Sequence, residues 1–299
     1  MSDWIAVDWS RDTLRAWAMS GNAPKAFAQS ETGTARLDGR DPEDVLLELI
    51  GSWPGLSDVI ACGDISARGG WAELPCPPVP CLPPVGAGAV VATRHPGLRL
   101  RLIPGVAQNR PADIMHGDET RIAGFLRINP KFDGTLCLPG ARSAWAQISA
   151  GEIVSFQTFL TGELHRTLTR HSLLSPTLAG DAGADFDSAA FAEGVDQGRN
   201  HPEKLLARLS GLVAEDHADG LPPSAARARL SGLLIGAELA GARPYWLGAE
   251  IAVIAEPALG QLYVTALRAQ SAPALAIDRE AATLAGLIAA RDATQSATT

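Results

Sequence analysis

The sequence contains little lysine, little cysteine and no long apolar run. Only three of its 25 basic residues are lysines, and no G-x-x-x-x-G-K-[ST] motif occurs, so a P-loop nucleotide site is excluded. The four cysteines include no C-x-x-C pair, and their spacing matches neither a zinc site nor a disulfide framework. No apolar stretch approaches the roughly 18 residues of a membrane span, and the N-terminus carries Asp3 and no basic region. We therefore expect a cytoplasmic protein with reduced thiols, no signal peptide and no membrane partner.

The charge balance also excludes a class of partner. The formal net charge is −8, whereas a general nucleic-acid binder needs a basic face, so we expect no nucleic-acid partner. The 299 residues, 46% of them hydrophobic, are typical of two globular domains or one large α/β unit. The composition leaves homodimerisation open.

The first part of the chain alternates in the manner of β-strands and then changes to a helix. Short connections between the strands predict an antiparallel meander. Asp41 is the expected N-cap of the helix, with Pro42 in its first turn. The predicted strands are 4–8, 13–19, 25–31 and 59–62, with the helix at 42–52 before the last of them.

The second half repeats this order of elements about 130 residues later. Strands are predicted at 135–138, 143–148 and 152–159, followed by a helix at 162–171. Ala16-Trp17-Ala18 in the first half is echoed by Ala144-Trp145-Ala146. The repeat indicates a duplicated α/β unit with a cleft between two similar halves.

The remainder of the chain is mainly helical. The apolar run 230–240 predicts a buried helix with a small-residue stripe of Gly232, Gly236 and Ala240, against which another backbone can pack closely. Strands are predicted at 251–255 and 274–277, and helices at 258–269 and 278–291, with Asp278 as the cap of the last helix.

Two turns are candidates for phosphate binding. After the first strand, Asp8 could hold Mg²⁺ through water, while the turn amides and the hydroxyls of Ser10 and Thr13 could contact a phosphate. The alternative is an ordinary hairpin in which Asp8 caps backbone groups. The corresponding turn of the second half, 139–143, offers further amides and Arg142.

A candidate general base lies between these turns. In the segment 115–120, Gly117 is followed by Asp118, Glu119 and Thr120, which is typical of a helix N-terminus. Asp118 could abstract a proton or could merely cap the helix. A metal site formed by His116 with the two acids is a weaker alternative, because only one histidine is present.

Several short strings of the sequence form a recognisable set. Two of them are specific together: Thr161-Gly162-Glu163-Leu164-His165, and the glycine-containing helix 230–238. The others are Ile5-Ala6-Val7-Asp8-Trp9, Leu14-Arg15-Ala16-Trp17, Ser30-Glu31-Thr32-Gly33-Thr34, Ile103-Pro104-Gly105, Gly117-Asp118-Glu119-Thr120 and Leu138-Pro139-Gly140. With these strings the sequence resembles the 2-dehydro-3-deoxygalactonokinases, sugar-acid kinases of the actin-like ATPase superfamily.

This resemblance implies an α/β fold of two ribonuclease-H-like, actin-like ATPase domains with a cleft between them. Residues 1–120 would form the N-terminal domain on the sugar-acid side, and residues 121–299 the C-terminal domain on the nucleotide side. The implied reaction is the ATP-dependent phosphorylation of 2-dehydro-3-deoxy-D-galactonate, or a related 2-keto-3-deoxy acid, at its 6-hydroxyl.

The resemblance also implies roles for individual residues. Asp118 would be the catalytic base, and Asp8 would hold Mg²⁺. The substrate residues would be Glu31, Gly33 and Thr34. The ATP-binding residues would be Asp8, Ser10, Arg11, Thr13, Gly140, Ala141, Arg142 and Ser143.

The chain departs from the family pattern on the nucleotide side. The family's first loop reads Asp-Trp-Gly-Ser-Thr-Asn, but here Arg11 replaces a small hydroxyl residue and Asp12 places a carboxylate near the phosphates. The family's second loop usually reads Pro-Gly-Thr-His-Ser-Lys-Trp, but here residues 139–145 are Pro-Gly-Ala-Arg-Ser-Ala-Trp. We therefore expect weak Mg-ATP binding unless Arg11 or Arg142 compensates. A non-catalytic sugar-acid-binding or regulatory protein on the same scaffold is the alternative function.

Overall fold

A computed structural model describes residues 3–53, 58–180 and 186–296. The strands in this part of the chain are β1 (Trp4–Trp9), β2 (Leu14–Ser20), β3 (Ala23–Ser30), β4 (Asp58–Cys62), β5 (Ala89–Val91), β6 (Arg99–Leu102), β7 (Val106–Asn109), β8 (Ala112–Met115), β9 (Gly134–Leu138), β10 (Ser143–Ser149), β11 (Glu152–Phe159), β12 (Ile251–Ala255) and β13 (Ala274–Asp278). The helices are α1 (Pro42–Ile50), α2 (Asp118–Ile128), α3 (Thr161–His171), α4 (Ser175–Leu178), α5 (Ser188–Asn200), α6 (Leu205–Asp219), α7 (Pro223–Gly241), α8 (Arg243–Trp246), α9 (Pro257–Arg268) and α10 (Arg279–Ser296).

The first sheet has the strand order β3-β2-β1-β4-β6-β5. β1, β2 and β3 form the predicted antiparallel meander, and β1 pairs in parallel with β4 after the chain crosses through α1. Asp41 caps α1 as expected, because its side chain accepts a hydrogen bond from the Glu43 amide. All six residues of β1 are buried, which places this strand in the core.

The second sheet has the order β11-β10-β9-β12-β13. β9 pairs in parallel with β12, as β1 does with β4. Each sheet therefore has its first three strands in sequence on one side and a parallel crossover strand on the other. The repeated order of elements read from the sequence is confirmed, as is the α/β class.

Contacts divide the chain into two compact units. The first comprises Met1–Asp133, Ile148–Phe156 and Asp278–Thr299, and the second comprises Gly134–Gln147 and Gln157–Ile277. The last helix, α10, thus belongs to the first unit, where it packs against α2. The assignment of residues 1–120 to the sugar-acid side and 121–299 to the nucleotide side stays a prediction, because these units are defined by contacts and not by ligands.

Within the first unit, α2 and α10 touch backbone to backbone through two glycines. A Cβ added to Gly124 would lie 1.9 Å from the carbonyl oxygen of Ala282, and one added to Gly286 would lie 1.9 Å from that of Thr120. No larger residue fits either position without a shift of the helices. This contact fixes the path of α2, the helix that begins at Asp118.

Within the second unit, the predicted small-residue stripe of α7 packs closely against α5. A Cβ on Gly232 would lie 2.3 Å from the Phe191 carbonyl oxygen, and one on Gly236 would lie 2.3 Å from that of Val195. The expectation that this stripe allows another backbone to approach is therefore confirmed.

Two further expectations concern the cysteines and the membrane. All four cysteines are free, with Cys62 and Cys137 buried and Cys76 and Cys81 half-buried. Among the described residues, every helix is too short or too polar to cross a bilayer.

The α5–α7 contact predicts the effect of a single methyl group. Gly232→Ala should lower the free energy of unfolding by about 1–3 kcal/mol through overpacking. That loss should exceed the gain of about 1 kcal/mol in helix propensity. Denaturant unfolding followed by circular dichroism measures the change.

Gly211→Ala in α6 is the matched control, because nothing lies within 4 Å of its added Cβ. This control should be neutral or slightly stabilising. Equal midpoints for the two variants would contradict the close packing of α5 and α7.

Candidate active site

Asp8 lies near the end of the central strand β1, beside Cys62 at the end of β4. The parallel register makes these two residues neighbours, and the Cys62 thiol donates to Asp8 Oδ1 at 3.8 Å. Both side chains are buried. Burial is the main reason that the pKa of Cys62 is raised well above its ordinary value, and the negative charge of Asp8 adds to it.

Asp118 reaches the same place from the start of α2. Gly117 precedes it with φ of 91°, a left-handed conformation that favours glycine. A Cβ on Gly117 would lie 3.2 Å from Gly63 Cα and 3.3 Å from Arg121 Nη1, so space also favours glycine here. The two close-packed glycines bring the first turn of α2 against the residue that follows β4.

The alternative capping role of Asp118 is not found. The α2 N-cap is Gly117, whose amide donates to Glu119 Oε1 at 2.8 Å. Asp118 instead pairs with Arg121, one turn along the helix. Its carboxylate is therefore held by a side chain rather than by the helix backbone.

Arg121 joins the two candidate carboxylates. Its Nη2 donates to Asp8 Oδ2 at 2.8 Å, and its Nη1 donates to Asp118 Oδ1 at 2.7 Å. The side chains of Arg121 and Asp8 are only 4% and 5% exposed, whereas that of Asp118 is 20% exposed. Of the two carboxylates, Asp118 is thus the one that a substrate can reach.

Two more arginines, Arg15 and Arg279, lie close enough to Asp8 to interact with its charge. Arg15 is the cross-strand partner of Asp8 in β2, and Arg279 begins α10. Burial alone would raise the pKa of Asp8, but the charges of Arg121, Arg279 and Arg15 hold it below its ordinary value. The charge of Arg121, followed by burial, lowers the pKa of Arg279. The buried Nε of Arg279 has no hydrogen-bond partner among the described residues.

Glu119 is completely buried behind Asp118. Burial raises its pKa to about 8, although hydrogen bonds from the backbone act in the opposite direction. Its Oε1 accepts from the Gly117 amide and from the Thr120 hydroxyl, while Oε2 has no partner among the described residues. Glu119 therefore supports the start of α2 and is closed to solvent.

The residues around Asp8 do not fit a divalent cation in this arrangement. Mg²⁺ is bound by oxygen ligands, usually carboxylates and water. Here Arg121 occupies one oxygen of each carboxylate, and Arg15 and Arg279 add positive charge nearby. In the described ranges, no three His, Cys, Asp or Glu side chains group so as to hold a metal, which also removes support for the His116 alternative.

The first hairpin turn uses most of its own donors. The Ser10 amide donates to the Thr13 carbonyl, and the Thr13 amide donates to the Ser10 hydroxyl. The two hydroxyls lie 3.1 Å apart. The Arg11 amide donates to Asp64 Oδ2 at 2.9 Å. Three amides expected to contact phosphate are thus engaged within the protein, whereas the side chain of Arg11 is exposed.

The predicted sugar loop lies directly on this turn. The Thr34 amide donates to the Ser10 carbonyl at 3.0 Å. Gly33 is buried, and a Cβ there would lie 2.2 Å from the Arg11 carbonyl oxygen. Glu31 is exposed. The structure thus brings the 31–34 segment together with residues 10–13, and glycine is required at position 33 by close packing.

The second unit repeats this contact with different residues. A Cβ on Gly162 would lie 2.1 Å from the Gly140 carbonyl oxygen, and the Glu163 amide donates to the Ala141 carbonyl at 2.8 Å. The start of α3 therefore sits on the second hairpin turn as the 31–34 segment sits on the first. Gly140, Ala141 and Arg142 are half-buried in that turn.

Ser143 differs from the other predicted phosphate residues because it is fully buried. Its hydroxyl lies 3.0 Å from that of Tyr263, which donates to Glu238 Oε2 at 2.7 Å. Trp145 Nε1 donates to Glu238 Oε1 at 2.8 Å. Burial raises the pKa of Glu238, against the effect of these hydrogen bonds. Ser143 thus belongs to a buried polar network that anchors the turn.

Side chains in the first turns of α3 form an ion pair and a hydrogen-bond contact. Glu163 forms an ion pair with Arg166 one turn along the helix. His165 Nε2 lies 3.1 Å from the Ser231 hydroxyl, and burial lowers the pKa of His165. The N-cap of α3 is Leu160, without a side-chain hydrogen bond.

Four residues of these clusters were not identified from the sequence: Arg15, Arg121, Glu238 and Arg279. The spacing of Asp118 and Arg121 indicated a pair within one helix turn. The hairpin register could also have placed Arg15 opposite Asp8. No local pattern indicated that Arg279 or Glu238 would join them.

Comparison with known proteins finds relatives along almost the whole chain. The model of the 2-keto-3-deoxy-galactonokinase family matches residues 8–290. A 2-dehydro-3-deoxygalactonokinase of Escherichia coli strain K12 is 32% identical over 289 residues, which are 95% of this chain and 96% of that protein.

Solved structures extend the comparison to the fold. A crystal structure from Sinorhizobium meliloti, described as a candidate 2-dehydro-3-deoxygalactonokinase, has 33% identity and a TM-score of 0.87 over 97% of this chain and 96% of that one. An activator of 2-hydroxyisocaproyl-CoA dehydratase from Clostridium difficile has 13% identity and a TM-score of 0.52, over 100% of this chain and 97% of the other. The latter likeness concerns the fold alone, and it agrees with the expected actin-like ATPase architecture.

The family match covers both hairpin turns, the start of α2 and every strand of the two sheets except the first four residues of β1. The chain therefore belongs to the 2-keto-3-deoxy-galactonokinase family of sugar-acid kinases.

Proposed function

We propose that this chain catalyses ATP-dependent phosphorylation of 2-dehydro-3-deoxy-D-galactonate, or a related 2-keto-3-deoxy acid, at the 6-hydroxyl. The observation that carries the proposal is Asp118, one-fifth exposed and held by a buried guanidinium at the start of α2, in a chain that matches the kinase family over residues 8–290. Incubation with ATP and the sugar acid, followed by phosphorus NMR of the product, tests both the reaction and its position.

Asp118 acts as the general base in this proposal. It accepts the proton of the 6-hydroxyl as the oxygen attacks the γ-phosphorus of ATP, and the bond from that phosphorus to the leaving ADP oxygen breaks. The ion pair with Arg121 fixes the direction of the carboxylate, which leaves its second oxygen for the hydroxyl. Arg121 is thus a positioning residue for Asp118.

Arginine side chains replace part of the phosphate-binding backbone. Arg11 is exposed beside the first turn and Arg142 is half-buried in the second. A guanidinium can donate two parallel hydrogen bonds to a phosphate. We propose that Arg11 and Arg142, with amides of Gly140 and Ala141, contact the ATP phosphates. No step of the reaction passes through a metal at Asp8.

The sugar acid is proposed to bind through the 31–34 segment. The exposed carboxylate of Glu31 can accept hydrogen bonds from sugar hydroxyls, and the hydroxyl of Thr34 can either donate or accept them. Gly33 contributes by its small size, because it lets this segment lie on the first turn.

A cytoplasmic location and the lack of nucleic-acid partners stay predictions from composition.

A second candidate is a sugar-acid-binding protein without kinase activity. It is favoured by the first hairpin turn, whose amides at positions 10, 11 and 13 are engaged within the protein. In this alternative the 31–34 segment would still bind the sugar acid. Titration calorimetry with ATP and with the sugar acid separates the two candidates.

The general-base role predicts the effect of one substitution. Asp118→Asn should lower kcat by about 10²–10⁴-fold, because general-base catalysis contributes that much, while KM for the sugar acid changes little. A coupled ADP-release assay measures both constants.

Asp58→Asn is the matched control. Asp58 also pairs with an arginine, Arg99, but it lies on the surface at the opposite end of β4 from Cys62. The control should keep its turnover. If Asp118→Asn stays within about threefold of wild type, well short of the loss expected for a base, Asp118 is not the base.

The altered first turn predicts weak ATP binding. Asp12 near a phosphate would cost roughly 4 kcal/mol at about 4 Å and an effective dielectric of about 20. The wild-type dissociation constant for Mg-ATP should therefore lie in the high micromolar range, at roughly 100 μM or more.

Restoring the family loop should strengthen that binding, because the cost of the Asp12 charge, roughly 4 kcal/mol, exceeds the contribution of about 1.5–3 kcal/mol from a hydrogen bond of Arg11 to a phosphate. The variant Ser10→Gly, Arg11→Ser, Asp12→Thr and Thr13→Asn should bind Mg-ATP at least about tenfold more tightly in calorimetry. Affinity for the sugar acid should change little. Unchanged or weaker ATP binding by the variant would mean that Arg11 already provides the hydrogen bonds to phosphate that the family's loop residues would donate.

A further inference from the structure

Arg121, which positions Asp118, also places a buried positive charge between the carboxylates of Asp8 and Asp118. We infer that Arg121 is an internal cation that takes the place of a divalent metal ion in this site. The inference deepens the proposed function, on which it rests for the identity of ATP as the ligand.

Geometry is the first reason. Arg121 contacts both carboxylates at once, at 2.8 Å to Asp8 and 2.7 Å to Asp118. Asp8 Oδ1, the remaining oxygen of the buried carboxylate, faces the Cys62 thiol. A metal at Asp8 would have to displace the guanidinium from at least one carboxylate. Since Arg121 is 4% exposed, the displaced charge would stay buried and unpaired.

Charge is the second reason. Arg15, Arg121 and Arg279 act electrostatically on Asp8. Even if Asp118 and Glu119 are both counted as ionised with Asp8, three guanidinium groups balance three carboxylates. No net negative charge remains to attract a divalent cation, although metal sites depend on such charge. The same balance favours a ligand that brings negative charge of its own, such as a polyphosphate.

Packing is the third reason. The guanidinium Nη1 would lie only 3.3 Å from a Cβ on Gly117, and that Cβ would lie 3.2 Å from Gly63 Cα. The arginine thus fills the space between the start of α2 and the residue after β4. It is part of the packed interior and cannot swing out without opening that contact.

Binding of Mn²⁺, which reports on Mg²⁺ sites, tests the inference without nucleotide. Electron paramagnetic resonance of free Mn²⁺ should show no binding by the wild type up to about 100 μM. Arg121→Gln should bind Mn²⁺ at least about tenfold more tightly than wild type, because two carboxylates lose their counter-ion. Arg121→Lys, which keeps a positive charge, should bind Mn²⁺ no more tightly than the wild type.

Arg229→Gln is the matched control. Arg229 also pairs with two carboxylates, those of Glu193 and Glu215, but it lies in α7 of the second unit. It should gain no Mn²⁺ site. A gain equal to that of Arg121→Gln would overturn the inference, because any released pair of acids would then suffice.

A measurement on the wild type keeps the inference testable if Arg121→Gln does not fold. ATP affinity in EDTA should lie within about threefold of that in Mg²⁺, because arginines rather than the metal balance the phosphate charge. Wild-type binding of Mn²⁺ below about 100 μM, or ATP affinity that rises more than about tenfold with Mg²⁺, would overturn it. If ATP binds in neither buffer the proposed function fails, and the Mn²⁺ measurement still decides the role of Arg121.

Discussion

The ion pair of Arg121 with Asp8 and Asp118 is the interaction on which the candidate site depends. It links the end of β1 to the first turn of α2, because Asp8 and Arg121, which are 113 residues apart in the sequence, share a buried hydrogen bond. Removing one partner of a buried pair typically costs about 3–5 kcal/mol, because the other charge stays buried. The pair can form only because Gly117 and Gly63 let α2 begin directly against the end of β4. Gly124 and Gly286 also let α10 pack closely against α2, which fixes the position of that helix.

A second constraint is repeated in the two units. In each unit, a Thr-Gly pair follows the third strand of the meander. The glycine of this pair packs on a carbonyl oxygen of the hairpin turn that joins the first two strands of the same unit. Thr32-Gly33 does so on Arg11, and Thr161-Gly162 does so on Gly140. A side chain at either glycine would meet that oxygen at about 2 Å in ideal geometry, so the repeat preserves glycine for a steric reason. The hairpin turns are thereby held by the segments beside them before any ligand binds.

Much of the fold follows from local sequence patterns. Alternating apolar residues and short connections predict both meanders, and Asp41, Pro42 and Asp278 mark helix starts that the structure contains. The strands β5 to β8 were not predicted, because they are only three or four residues long and lie in a proline-rich region without clear alternation. Such strands are defined by their partners rather than by their own sequences.

The candidate site was predictable only in part. Asp8 and Asp118 stand out because one lies near the end of a buried strand and the other starts a helix. Ser143 stays a predicted ATP-binding residue, but its burial could have been anticipated, because residues two apart in a strand share a face and Trp145 is a core residue. Arg121 is a different case. Its spacing from Asp118 predicts a local pair, but its bond to Asp8 depends on how β1 and α2 meet, which no local pattern determines.

If arginines take the place of backbone donors at the phosphates, as we propose, the binding of the nucleotide depends on different groups of the protein. Phosphoryl transfer requires positioning and neutralisation of charge more than covalent participation by the protein. An arginine that stabilises the transferring phosphoryl group contributes about 10³–10⁵-fold in other phosphotransferases, so the loss of turn amides is not in itself a loss of catalysis. A guanidinium differs from a metal ion in that the fold fixes its position, whereas a metal enters with the nucleotide. Catalysis in this chain would then depend on how accurately the phosphates of the nucleotide are placed against arginines that the fold already holds in position. A chain with the same carboxylates would be a kinase if the phosphates reach these arginines, and only a sugar-acid-binding protein if they do not.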